Sequence, residues 1–321
     1  MKRLLARLAG AEQAGLGLAL FILCVVLATL SPVFLTAGNI TNILRDAALV
    51  AIAGIGMVAI ILQGEIDLSV GSSQAVVGIA AVAVLNASDS ILLALLAALL
   101  LGALIGLTNG LLVTRAGINS LIATLGMMAI LRGVAMVSTG AVSIQAKVPA
   151  FVDVGTGHLG PLPVPVVLAA VLFAAVYFLL HHTPFGRYVY AVGGNREAAE
   201  LAGLPVARIK VAVFMLGGVL AALSAFVLAS RLNSGQPNAG LGFELQVIAA
   251  VVLGGVSLTG GVGTLVGALL GILILTVLNN GLVLLNVSSF YHDIARGIVI
   301  ILAVYLDTRR RRSLDPSGFF S

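Results

Sequence analysis

Few residues in this chain have the type and spacing that chemistry requires. His158, His181, His182 and His292 are scattered over loops and helix ends, and none falls in an H-E-x-x-H or G-x-S-x-G context. His181 and His182 read as interfacial residues at a helix end. The single cysteine, Cys24, lies inside an apolar run, so neither an intrachain disulfide nor a C-x-x-C motif can form. No lysine completes a G-x-x-x-x-G-K-[ST] pattern, so the chain carries no phosphate-binding loop. No catalytic residue, metal set or cofactor is predicted. What remains is a set of polar residues within apolar surroundings: Gln63, Asp67, Asn109, Thr124, Asn279 and Asn280. Polar groups at membrane depth face a wet cavity or another helix. These six are therefore candidates for lining a path, with helix-to-helix hydrogen bonding as the alternative. Glu65 and Asp67 could equally cap the helix that follows, and Asp293 and Arg296, three apart, could pair on one face.

The surroundings of those residues define the class. Of 321 residues, 60% are hydrophobic and 9% charged, with a mean hydropathy of +1.18. Soluble domains are about 45–50% apolar and 25% charged. Apolar runs recur near 16–34, 46–63, 69–86, 91–113, 119–139, 165–182, 209–230, 244–258, 264–285 and 291–307. Such lengths suit a bilayer core about 30 Å thick. The expected fold is all-α: one continuous transmembrane domain over 1–321, a polytopic bundle of about ten helices. Gly64, Gly71, Gly255, Gly260, Gly261 and Gly263 interrupt the second, third, eighth and ninth runs, which reads as short or broken helices. The segments 66–71 and 256–261 echo one another, as the halves of a repeat would. The first apolar run is long for a signal peptide and no A-x-A site closes it, so it is expected to persist as the first helix.

Net charge +5 does not mark a nucleic-acid surface, because the basic residues cluster at segment ends instead of on a face interleaved with aromatics. With the N-terminus inside, the inner segments collect Lys2, Arg3, Arg7, Arg115, Arg187, Arg196, Arg208, Lys210, Arg309, Arg310, Arg311 and Arg312, twelve in all. The outer loops collect two, Arg45 and Lys147. The positive-inside rule then places both termini in the cytoplasm. The outer loop 140–165 is proline-rich and reads as a shaped surface. The inner loop, about 183–210, holds Asn195 as an N-cap, Glu197 and Glu200 at the positive end of a short helix, and Gly203 at its exit.

That inner loop reads Gly186-Arg187-Tyr188-Val189-Tyr190-Ala191-Val192-Gly193-Gly194-Asn195-Arg196-Glu197-Ala198-Ala199-Glu200-Leu201-Ala202-Gly203. It resembles the coupling segment of ABC permeases for ribose, xylose, arabinose, galactose and branched-chain amino acids. The resemblance continues in Ser31-Pro32-Val33-Phe34-Leu35-Thr36, in Gly64-Glu65-Ile66-Asp67-Leu68-Ser69-Val70-Gly71-Ser72, and in Ile248-Ala249-Ala250-Val251-Val252-Leu253-Gly254-Gly255. It extends through Leu278-Asn279-Asn280-Gly281-Leu282 to the basic tail, 308–321. From about residue 30 to 310 the chain is similar to the ABC-type monosaccharide importer permease family, most of all to its ribose permeases. The resemblance implies a multi-pass protein of the bacterial cytoplasmic (inner) membrane, embedded in membrane lipid. It implies a second copy of itself, a cytoplasmic ABC ATPase subunit docked on the coupling helix, and a periplasmic or extracellular sugar-binding protein as partners. The coupling residues it points to are Asn195, Glu197, Ala198, Ala199, Leu201 and Gly203. Glu197 and Glu200 depart from any particular family pattern, which leaves the ATPase contacts open. A secondary transporter, or a permease of this fold for branched-chain amino acids or autoinducer-type sugars, stays open as an alternative.

Overall fold

The computed structural model describes residues 2–288, with side chains from residue 13 onward, and beyond them positions 291, 294, 297, 298, 301, 302 and 305. The expected tenth run, with Asp293 and Arg296, His292 and the basic tail all lie wholly or largely outside the described residues. Among the described residues, eight helices are long and apolar enough to cross a membrane, and a ninth apolar helix is shorter. They are α1 (Lys2–Leu30), α2 (Ala37–Leu62), α3 (Val70–Ser88), α4 (Ile91–Thr114) and α5 (Ser120–Thr139), followed by the small α6 (Val152–Thr156). Then come α7 (Val164–His182), α8 (Pro184–Gly194), α9 (Arg196–Leu201), α10 (Val206–Arg231), the short apolar α11 (Phe243–Leu253) and α12 (Leu265–Leu284). Length, apolarity and exposed apolar surface together define a multi-pass helical membrane protein.

Two boundaries differ from the sequence reading for local reasons. The second helix starts nine residues earlier than expected, because Thr36 caps it by accepting from Asn39 N–H. Arg45, which read as an outer-loop charge, lies within this helix and donates to the Thr156 carbonyl, and Asp46 beside it pairs with Arg231. The first helix begins at residue 2 and stops at Leu30, before Ser31-Pro32. The loop 140–165 is folded, as its prolines suggested. Ile144–Gln145 pairs antiparallel with Ser234–Gly235, and His158–Leu159 with Leu162–Pro163.

α10 is the centre of the bundle, in contact with α2, α3 and α4. In lipid no hydrophobic force draws helices together, so close approach of small residues must supply the packing. α4 carries Gly102, Gly106 and Gly110 one turn apart, all against α10. A Cβ at Gly106 would fall 2.2 Å from the Phe214 carbonyl oxygen, and one at Gly102 2.4 Å from that of Gly218. On the α2 side, a Cβ at Gly56 would fall 2.9 Å from Gly217 Cα. α1 is peripheral and touches mainly α12. Apolar residues such as Phe21, Leu92, Leu96, Leu100 and Phe178 remain on the outside, as a lipid-facing belt requires.

This contact predicts that Gly106→Leu lowers the thermal stability of the detergent-solubilised protein by about 1–3 kcal/mol or more, since the added side chain overpacks a backbone contact. Gly133→Ala, where an added Cβ meets nothing within 4 Å, should leave the melting temperature unchanged or raised. Equal melting temperatures for the two variants would contradict the seam.

Candidate functional site: a coupling segment joined to two helix breaks

Thr183, Leu62, Gly261 and the start of α10 gather at one end of the bundle. There the interruptions foreseen from glycines are true breaks: 63–69 separates α2 from α3, and 254–264 separates α11 from α12. The two echoing segments touch. Gly261 N–H donates to the Leu62 carbonyl at 2.8 Å, and a Cβ at Gly260 would lie 2.7 Å from Gly64 N. Gly64, Gly260 and Gly261 all have positive φ, at +81°, +86° and +73°, which only glycine adopts without strain.

The 183–205 loop contains two helices, of which the sequence suggested only one. α8 is capped by Thr183, whose hydroxyl accepts from Gly186 N–H. It tolerates glycine because close approach demands it: a Cβ at Gly193 would fall 1.7 Å from the Leu62 carbonyl oxygen. Gly194 packs against Gly261. Tyr190 hydroxyl donates to the Gly263 carbonyl at 3.0 Å. Burial, and then the neighbouring Tyr177, push that phenol up to about 12, so it stays a proton donor across the physiological range.

α9 follows with the cap foreseen: Asn195 Oδ1 accepts from Ala198 N–H at 2.9 Å, and Gly203 leaves at φ +78°. The predicted coupling residues divide between two faces. Ala199 is buried in the permease's own core, whereas Glu197, Ala198 and Glu200 are exposed, and Leu201 is 91% exposed. Glu200 pairs with Arg196 at 2.9 Å on the surface, an interaction of small energetic weight.

Of the six candidate path residues, three converge. Asp67 Oδ1 accepts from Ser69 N–H at 2.8 Å and from Ser69 hydroxyl at 2.6 Å. Asn109 Nδ2 donates to Ser69 Oγ at 2.9 Å. Thr124 Oγ1 accepts from Leu68 N–H at 3.1 Å and donates to the Ser120 carbonyl at 2.7 Å, while Ser120 Oγ accepts from Ile66 N–H. The first break is thus tied to α4 and α5 by a buried polar node. Gln63 is also buried there, and both its amide atoms lack a hydrogen-bond partner among the described residues. Asn280 stands elsewhere: it exchanges hydrogen bonds with Asn39 at 2.8 and 3.1 Å, joining α12 to the far end of α2. Asn279 is half-buried on α12 and does not join the node.

A pairing that sequence inspection passed over fixes the break to α10. Lys210 and Glu65, 145 positions apart and both largely buried, form an ion pair. Lys210 read as one of the inner basic residues, and no local pattern pointed to a partner. With Arg231 and Asp46 at the other end, α10 is pinned to the α2 side at both of its ends.

A multi-pass membrane protein with a structured loop joined to paired helix breaks is the architecture of a transport subunit, and comparison with known proteins says which kind. A family model described as branched-chain amino acid transport system / permease component matches residues 39–304. The chain is 45% identical over 304 residues to the ribose import permease protein of Escherichia coli strain K12, covering 94% of each. It is 43% identical over 301 residues to the ribose import permease protein of Bacillus subtilis strain 168, covering 93% of this chain and 94% of the relative. To the L-arabinose ABC transporter permease protein of Azospirillum brasilense it is 41% identical over 300 residues, covering 94% and 88%. No solved structure gave a significant match. The chain belongs to this family of ABC transporter permease components, and is a transport subunit instead of an enzyme.

The Lys210–Glu65 pair generates a stability prediction. Lys210→Met alone leaves a buried carboxylate unmatched and should cost about 3–5 kcal/mol, whereas Lys210→Met combined with Glu65→Leu should recover most of the loss. Thermal unfolding of the purified protein reads the difference. A double variant no more stable than the single one would contradict the pairing.

Proposed function

We propose that the chain is the membrane-spanning subunit of an ATP-driven importer that carries ribose or a related pentose into the cytoplasm by alternating access. The similarity to ribose and arabinose permeases over almost the whole chain supports the cargo. The lack of a phosphate-binding loop in the sequence assigns ATP hydrolysis to a separate ABC ATPase subunit. The working unit contains two copies of this chain in the bacterial cytoplasmic membrane, with lipid against the apolar belt. Both termini and the 183–205 end face the cytoplasm, as the basic residues argue. The folded 140–163 surface at the opposite end receives the sugar-binding protein, which supplies selectivity and delivers the sugar outside.

The observation that carries this reading is α9. A six-residue helix capped at Asn195, closed at Gly203 and presenting a leucine almost wholly to solvent serves poorly as a mere connector. Its exposed face, Glu197, Ala198 and Leu201, is the docking knob for the ATPase, and Ala199 anchors the knob to the permease. Movement of the knob reaches the helix breaks through α8, because Gly193 and Gly194 lie directly on Leu62 and Gly261. The family description also names branched-chain amino acids, so a permease of the same mechanism with that cargo is the second reading. The sugar or amino acid bound by the partner protein separates the two.

Leu201→Asp and Ala198→Arg should each weaken ATPase association, where a hot-spot residue is worth about 1 kcal/mol or more, and should depress uptake while the permease still inserts at normal levels. Ala199→Arg should instead impair folding, because its site is interior. Pull-down of the ATPase and ribose uptake at matched permease levels measure both. Normal association and uptake in the Leu201 and Ala198 variants would contradict the docking assignment.

A further inference from the structure

One stretch of backbone between two apolar helices is not helical although it lies against a membrane-spanning helix. After α10 ends, the chain turns back into the bundle without forming a helix until Phe243. Its course is fixed by contacts with α3: a Cβ at Gly235 would lie 2.7 Å from Ile79 Cα, and one at Gly240 2.3 Å from the Gly71 carbonyl oxygen. Ile79 stands nine residues before Ser88, the last residue of α3, and Gly71 seventeen. At a rise of about 1.5 Å per residue those positions lie roughly 13 and 25 Å along the helix, so Ile79 falls near the middle of a hydrocarbon core of about 30 Å and Gly71 toward its other side. Irregular backbone at such depth occurs only where protein buries it or where it borders water.

Protein does not bury it completely. Asn238 is exposed, Leu241 is 67% exposed, and Gln236, Ala239 and Gly242 are half-exposed. Charge gathers at the same place. Arg132, in the interior of α5, donates to the Pro237 carbonyl at 2.6 Å and the Ala239 carbonyl at 2.9 Å. Glu244, in the first turn of α11, acts electrostatically on Arg132, and it stands so close to Gly71 that a Cβ there would fall 1.9 Å from its carboxylate. Arginine thus satisfies two carbonyls that a helix would have satisfied itself. An arginine and a glutamate at membrane depth, with an exposed asparagine beside them, are disfavoured against lipid tails.

We infer that the surface formed by 236–242, together with Arg132 and Glu244, lines the water-filled path along which the sugar crosses the membrane. None of these residues belongs to the Asp67 node, which is buried within one protomer and ties helices together. The amides of Gln236 and Asn238 both donate and accept hydrogen bonds, which suits a polyhydroxylated solute in passage. A second copy of the chain, as in the function proposed above on which this inference rests, closes the open side of the path.

The experiment removes the single cysteine by Cys24→Ser and introduces Asn238→Cys or, on the apolar outer face of α4, Leu100→Cys. A charged, water-soluble thiol reagent is then applied to membranes. Asn238→Cys should react faster than Leu100→Cys by about tenfold or more, since a charged reagent is excluded from hydrocarbon. Its modification should abolish ribose uptake by the assembly with ATPase and binding protein. Reaction of Asn238→Cys no faster than that of Leu100→Cys overturns the inference, as does full modification without loss of uptake. Labelling needs neither sugar nor partner. Fast labelling in an assembly whose unmodified form imports no ribose would therefore support the path and overturn only the cargo.

Discussion

Everything in this bundle rests on how closely α10 can approach its neighbours. Within a bilayer, apolar side chains gain nothing by leaving lipid for protein, so helices associate where small residues let backbones touch. Gly102, Gly106 and Gly110 of α4 and Gly56 of α2 provide that contact around Gly217 and Gly218 of α10. Ion pairs then fix its two ends, Lys210 with Glu65 and Arg231 with Asp46. The buried pair, Lys210 with Glu65, adds little net stability when desolvation is counted, but it fixes register, because a slip of one turn would strand a buried charge.

A held α10 permits irregularity elsewhere. The breaks at 63–69 and 254–264 and the non-helical segment before α11 all expose backbone groups that a continuous helix would satisfy. Each finds a substitute: Ser120 and Thr124 hydroxyls for Ile66 and Leu68 N–H, the Leu62 carbonyl for Gly261 N–H, and Arg132 for the Pro237 and Ala239 carbonyls. The two breaks lie against each other and against α8, so the loop that carries α9 rests on the segments that carry the polar node. On the proposed mechanism, a displacement imposed on α9 by an ATPase moves backbone against backbone, with few flexible side chains between to absorb it.

Much of this was legible in the sequence. Apolar runs and their glycines gave most spans to within a few residues and located both breaks, because in a membrane helix length and interruption are fixed by bilayer thickness and backbone satisfaction. The Asn195 cap and the Gly203 exit are local, so they too could be read directly. The pairing of Glu65 with Lys210 and of Asp46 with Arg231 could not, since contacts across 145 and 185 positions leave no local trace. The three glycines of α4 did leave one, a four-residue repetition, though which helix they face is a tertiary fact. Asn280 was grouped with Asp67 by residue type alone, and the fold puts it with Asn39 instead.

The central claim is that the coupling segment drives the helix breaks through the backbone contact of Gly193 with Leu62. It is tested most directly by sugar imported per ATP hydrolysed in vesicles containing the permease, the ATPase and the binding protein. Gly193→Ala, whose methyl would stand 1.7 Å from the Leu62 carbonyl oxygen, should bind the ATPase and allow ATP turnover yet import little sugar. Gly194→Ala, where an added Cβ meets nothing within 4 Å, should import normally. Equal import per ATP in the two variants would contradict the account.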